Sequence, residues 1–209
     1  MSGSSAARIT CLALLVEGGL GIAALIIGWL LGHWPAVGMD FSRWTSLAEV
    51  RPQLDAAALG LVATAPMLAA LWVIDRFPLG PLRSLRQLAE EYIPRMFAGA
   101  AVWQLALVSL AAGFGEELLF RGLVQAGLSR LIGSSAGPWI ALAAASLLFG
   151  VCHWLNATYA AAAALAGCYF GLIFWASGSL WTPIVAHATY DFVALLYLLR
   201  ANHLLHSRV

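Results

Sequence analysis

Long apolar stretches, broken by short polar or proline-containing punctuation, run through most of the chain. A bilayer core of about 30 Å is crossed by roughly 20 apolar residues of helix. Six runs approach or exceed that length: Ile9 to Leu31, Ala56 to Ile74, Phe97 to Arg130, Trp139 to Trp154, Thr158 to Ala176 and Leu180 to Leu199. The first is too long for a signal-peptide core and no small-residue cleavage site follows it, so it reads as a retained span. Pro66 predicts a kink in the second. The third exceeds one bilayer thickness, which predicts a tilt, a break near Gly113 and Gly115, or a projection into water. Between the second and third runs, Leu82, Leu85, Leu88, Ala89 and Tyr92 recur at helical spacing among Arg83, Arg86, Gln87, Glu90 and Glu91. That pattern predicts an amphipathic helix lying along the bilayer surface. Barrel strands would alternate polar and apolar residues, and open sheets leave backbone groups unsatisfied in lipid. The expected fold is all-α: a polytopic membrane bundle of about six transmembrane helices plus one interfacial amphipathic helix.

Composition agrees with this pattern. The chain is 62% hydrophobic and 10% charged, against about 45–50% and about 25% in ordinary soluble domains. A net charge of +1 supplies no basic stripe for nucleic acid, so that partner is set aside. Nine tryptophans sit mostly at the ends of apolar runs, where amphipathic rings favour the membrane interface. Cys11, Cys152 and Cys168 lack CxxC spacing and read as small buried hydrophobes. Six spans put both termini on one side, with Arg8, Arg76, Arg83, Arg86, Arg95, Arg200 and Arg208 facing Arg43, Arg51, Arg121 and Arg130 across the bilayer. The richer side is expected to be cytoplasmic. This threading sets His153 and His187 towards opposite faces, so their meeting requires helices to break or shift in depth. Gly167 and Gly171, four apart after an alanine run, predict a central helix that its neighbours approach closely.

Ionisable groups inside spans cost about 2.5–3.5 kcal/mol each on insertion scales, so they tend to be paired and functional. Here they are Glu17, Glu116, Glu117, Arg121, His153, His187 and Asp191. Glu117 and Arg121, four apart in the acid-first order, can pair on one helix face. Glu116, rotated about 100° by the helical pitch, is left free as a base, and desolvation is expected to raise its pKa towards neutrality. Phe149 lies four residues before His153 and can wall its imidazole. His187 and Asp191, again four apart, can face one cavity. A lone histidine or a lone Glu-Arg pair is as readily structural, but three such groups in a chain otherwise poor in intramembrane charge point to one site. Glu17 has no partner at helical spacing and reads as protonated or hydrogen-bonded to another helix.

The ordered set Glu-Glu-x-x-x-Arg, Phe-x-x-x-His and His-x-x-x-Asp, each on its own span, resembles the CPBP (Abi) family of intramembrane proteases. That family includes the CAAX prenyl endopeptidases and bacteriocin-processing proteins. The resemblance covers roughly Phe97 to Leu199 and extends to the run GCYFGLIFWASGSLWTPIVAHATYDF. It divides the chain into an N-terminal two-span region with the interfacial helix (1–95), a CPBP-like catalytic core (96–200) and a short polar tail (201–209). It implies peptide-bond hydrolysis within the membrane, on a membrane-associated peptide or a protein's C-terminal tail. Glu116 would activate water with help from His153. Glu117 and Arg121 would hold the helix and tune the carboxylate, and His187 would stabilise the oxyanion with position 191 beside it. Many members carry asparagine at that position, and Asp191 departs from them. It must be protonated, orient His187, or bind metal. Glu116, His153 and His187 would be the ligands if a divalent metal such as zinc is bound. No HExxH occurs, and a metal-free glutamate mechanism is preferred. The expected setting is a bacterial inner membrane. The competing readings are a proton-coupled carrier, whose internal repeats are not found here, and a non-catalytic membrane adaptor.

Overall fold

In the computed structural model, which describes residues 3–39, 46–97 and 99–206, the chain is all-helical. Helix α1, Gly3–Leu30, ends where Gly32 takes a left-handed conformation (φ 66°) and the chain turns back on itself. Helix α2, Leu47–Arg76, passes through Pro66 without ending. Helix α3, Pro81–Phe97, is strongly amphipathic, as its alternation of leucines with Arg and Glu predicts. Next comes one rod in three parts: α4, Val102–Glu117; a π-helical segment, Leu118–Gln125; and α5, Ala126–Ile132, closed by left-handed Gly133. Helix α6, Gly137–Cys152, starts with Pro138 in its first turn, where a missing N–H costs nothing. Helix α7, Ala157–Ser177, is capped by the Asn156 side chain, which accepts from the Tyr159 N–H at 2.8 Å. Helix α8, Trp181–His206, completes the chain.

Among the described residues, α1, α2, α7 and α8 are long and apolar enough to cross a membrane, so the protein is a multi-pass helical membrane protein. The other two expected spans differ from that simple form. The Trp139 to Trp154 run is a helix of 16 residues, about 24 Å at 1.5 Å per residue, because Ser134 and Ser135 precede it and His153 ends it. The Phe97 to Arg130 run is a rod only from Val102 onward, because Phe97 ends α3 and left-handed Gly99 turns the chain between them; the hydrogen bonding of the rod changes register just after Glu117. That is the region where a break near Gly113 and Gly115 is expected. Arg43 and Arg208, used to orient the chain, lie outside the described residues.

Helix α4 is clamped between α1 and α8 along a seam of small residues. A Cβ on Gly113 would meet Ala188 and the Ile184 carbonyl of α8 at 2.9 Å, and a Cβ on Gly115 would collide with the backbone carbonyl of Glu17 in α1. The glycine spacing of α7 gives the close approach it predicts, chiefly to α6, while α8 is the more buried helix. Gly167 packs on Ser146 and Phe149 of α6, and Gly171 on Leu142 and on Gln125 of the π-helical segment. Leu118, Phe174, Leu180 and Ile184 form one apolar core at the α1 carboxyl end, and Phe97, Leu105, Val108 and Leu195 form another towards α3. The cysteines are corrected: all three are free, and Cys11 and Cys152 are exposed rather than buried, because they lie on outward faces of α1 and α6.

Candidate active site

Glu116 and Glu117 are the last residues of α4, at the point where the α-helix widens into a π-helix. Such widenings recur at functional sites because they re-aim side chains within an otherwise regular rod. Both carboxylates and Arg121 are buried, Glu117 and Arg121 almost completely (0% and 1% exposed). Arg121 donates through Nη1 to Glu117 Oε1 at 3.0 Å and through Nη2 to the Gly167 carbonyl at 2.8 Å. Its guanidinium lies 4.7 Å from the Phe149 ring centre and 5.3 Å from that of Phe170, a cation over two aromatic faces. One side chain thereby ties the π-helical segment to α6 and α7.

The histidines come from opposite elements and meet at Glu116. His153 caps the carboxyl end of α6. Its Nδ1–H donates to the Phe149 carbonyl at 2.8 Å, and its ring stacks on Phe149 at 4.3 Å and 22°. These contacts turn Nε2 towards Glu116 Oε1, 3.7 Å away. His187, on α8, donates Nδ1–H to Glu117 Oε1 at 2.8 Å and stacks on Phe170 at 4.7 Å and 15°. Its Nε2 points at Glu116 Oε2, at 4.0 Å, and at Asp191 Oδ2, at 3.4 Å. Glu116, His153, His187 and Asp191 thus share one small volume. Its separations are too long for direct hydrogen bonds in two cases and suited to a shared water. The depth conflict between the two histidines disappears because α6 is short and ends at His153, level with the carboxyl end of α4.

Glu117 does more than the i,i+4 spacing indicated. The same oxygen that receives Arg121 also fixes the orientation of His187, so Glu117, and not Asp191, holds that ring by Nδ1. Asp191 approaches the other nitrogen and is 31% exposed at the cavity mouth.

Two contributors lacked a sequence signal. Phe170 is one apolar residue among many in α7, and only the fold reveals it as the platform for His187. Glu17 was visible as an isolated acid but had no partner at helical spacing. Gly21 beside it hints at the close α1–α4 approach that carries it to Gly115, next to Glu116. There it interacts electrostatically with Glu116, His187, His153 and Asp191. One oxygen each of Glu17, Glu116 and Glu117 is buried without a hydrogen-bond partner among the described residues, unused acceptor capacity of the kind that marks functional sites.

Glu116, His153 and His187 are the residues that would hold a divalent metal, although among the described residues no group of three or more His, Cys, Asp or Glu side chains is arranged to hold an ion. Both histidines engage Nδ1 with a protein acceptor and turn Nε2 towards Glu116, so any ion would be held through the two Nε2 atoms and that carboxylate.

Residues 98–193 match the family described as Type II CAAX prenyl endopeptidase Rce1-like, a range that contains every residue of the cluster except Glu17. No curated protein and no solved structure matches the chain. The chain therefore carries, over residues 98–193, a domain of the Rce1-like type II CAAX prenyl endopeptidase family, a family of hydrolases.

Proposed function

We propose that the protein is an intramembrane endopeptidase in which Glu116 and His153 activate water against a peptide bond. The observation that carries this reading is the placement of Glu116 between two imidazole Nε2 atoms, at 3.7 and 4.0 Å, inside a predominantly apolar helical bundle. With its proton held on Nδ1 by the Phe149 carbonyl, a neutral His153 presents a bare Nε2. A water between it and the Glu116 carboxylate then donates both its protons to acceptors and keeps a lone pair for attack.

In the reaction, the water oxygen bonds to the scissile carbonyl carbon as Glu116 takes a proton. The carbonyl oxygen becomes an oxyanion. His187, carrying protons on both nitrogens, keeps Nδ1–H on Glu117 and gives Nε2–H to the oxyanion. Asp191 Oδ2 holds that Nε2–H between turnovers. Glu116 then returns its proton to the amide nitrogen, the oxyanion re-forms its C=O as the C–N bond breaks, His153 Nε2 passes the water's second proton from the new acid to the amine, and a carboxylate and an ammonium leave. The flat Phe149 and Phe170 faces keep both rings from rotating, and the Arg121 clasp keeps Glu117 in register with His187. Residues 1–95 act as the lipid-facing shell that brings α1 against the site. The substrate is a membrane-associated peptide or a C-terminal tail, and the setting is a bacterial inner membrane with both termini cytoplasmic.

Comparing C-terminal peptides from membranes that contain the wild-type protein with those containing Glu116→Ala, His153→Ala or His187→Ala tests this reading. New C-termini are expected with the wild type alone, at equal protein levels. The same C-termini produced by Glu116→Ala would overturn it.

A further inference from the structure

A second cavity, of about 430 Å³, lies at the other end of the bundle, lined among others by Trp34, Gln125, Arg130, Pro138, Phe174 and Trp175. Gln125 is nine residues beyond Glu116 on the same rod, at the far end of the π-helical segment. Pro138 starts α6, whereas His153 ends it, so this cavity and the candidate active site are separate. Its size falls within the range of small-ligand sites.

The chemistry of its one cation sets the ligand. Arg130 Nη1 is 2.9 Å from His33 Nδ1, and His33 Nε2 is 2.7 Å from the Gly122 carbonyl. A carbonyl only accepts, so Nε2 carries the proton. A guanidinium only donates, so Nδ1 is bare. His33 is therefore neutral, and among the described residues no carboxylate pairs with Arg130. Its charge is steered towards the cavity mouth and left unbalanced there. Apart from Gln125 and Ser129, the rest of the wall is mainly apolar and aromatic: Val37, Ala126, Pro138, Phe174, Trp34 and Trp175. Trp34 and Trp175 are about half exposed, as is Trp139 at the same end of the bundle, and Trp29 there is more exposed still, which places the mouth at the tryptophan level of a membrane interface. A soluble anion has no use for that wall, whereas an anionic amphiphile matches both halves.

We propose that this cavity binds the headgroup of an anionic phospholipid. The phosphodiester accepts from Arg130 and the glycerol and first methylenes lie against Phe174, Trp175 and Pro138. Arginine suits the role because its planar fork holds two phosphate oxygens at once.

The test uses the full-length protein in neutral detergent, titrated with phosphatidylglycerol, phosphatidylcholine or soluble glycerol phosphate, with thermal unfolding and native mass spectrometry as readouts. Phosphatidylglycerol is expected to bind roughly 10-fold or more tightly than phosphatidylcholine, whose phosphodiester is the same but whose choline ammonium brings a second cation against Arg130. It should also raise the unfolding temperature. Arg130→Gln, at an exposed position, is expected to keep the fold and lose that preference. Trp175→Ala should weaken both lipids alike. Equal binding of the two lipids, full phosphatidylglycerol preference in Arg130→Gln, or equal stabilisation by glycerol phosphate would each overturn the proposal.

Discussion

Replacing Arg121 with methionine removes the charge on which the buried cluster is assembled while keeping most of the side chain's length. In the wild type the guanidinium is 1% exposed and holds Glu117 at 3.0 Å and the Gly167 carbonyl at 2.8 Å. Breaking a buried ion pair from one side costs about 3–5 kcal/mol, because the remaining carboxylate stays desolvated. The freed Gly167 carbonyl adds up to about 1–3 kcal/mol. Glu117 retains His187 as a partner, which limits the loss. The expected destabilisation is about 3–5 kcal/mol, read by SDS-titrated unfolding in mixed micelles. Adding Glu117→Leu removes the stranded charge, and the double variant is expected to be more stable than Arg121→Met alone, since apolar replacement of a whole buried pair is often neutral or better. Its proteolysis should stay lost, because His187 has no Nδ1 acceptor. A stability loss below about 1 kcal/mol for Arg121→Met, or no recovery in the double variant, would refute the clasp.

Other outcomes follow from the same geometry. Gly115→Leu forces a side chain into the Glu17 backbone and is expected to separate α1 from α4, lowering stability by about 1–3 kcal/mol or more; cysteine cross-linking between the two helices should fall with it. Phe149→Ala removes the face on which His153 stacks and leaves the Phe149 carbonyl bond in place. It is expected to slow cleavage by about 10- to 100-fold while the protein still inserts, reflecting a mispositioned base. Glu17→Gln keeps shape and hydrogen bonding beside Gly115 and is expected to fold normally, with cleavage changed less than in Glu116→Gln; complete inactivity at normal protein levels would make Glu17 a direct participant. Incubation with a zinc chelator is expected to leave cleavage intact, and loss that added zinc restores would reverse the metal-free reading.

Much of the fold was readable because membrane helices must be long, apolar and internally hydrogen-bonded. The runs at α1, α2, α7 and α8 obey that rule, and the leucine spacing of α3 gave its amphipathic face. Length alone misjudged α6, whose apolar run merges with the flanking Trp154, and it did not foresee the π-helical segment, whose register depends on how Gly113, Gly115 and Gly122 let neighbours press on the rod. The candidate site was legible as three i,i+4 groups because charge is rare inside spans. The link from Glu117 to His187, 70 residues apart, was not, since no periodicity connects separate helices. Nor was the platform of Phe170, which only packing reveals. The exposed cysteines show the converse limit: apolar context in a membrane chain marks contact with lipid as often as contact with protein.

The central claim is that Glu116, His153 and His187 gather one water and spend it on a peptide bond. The most direct test is to let membranes containing the protein process their substrates in heavy-oxygen water, and to read the isotope in newly formed C-termini by mass spectrometry. The account predicts label in the terminal carboxylates of wild-type products and neither label nor products with Glu116→Gln. Labelled products from Glu116→Gln, or wild-type membranes that yield no new C-termini, would contradict it.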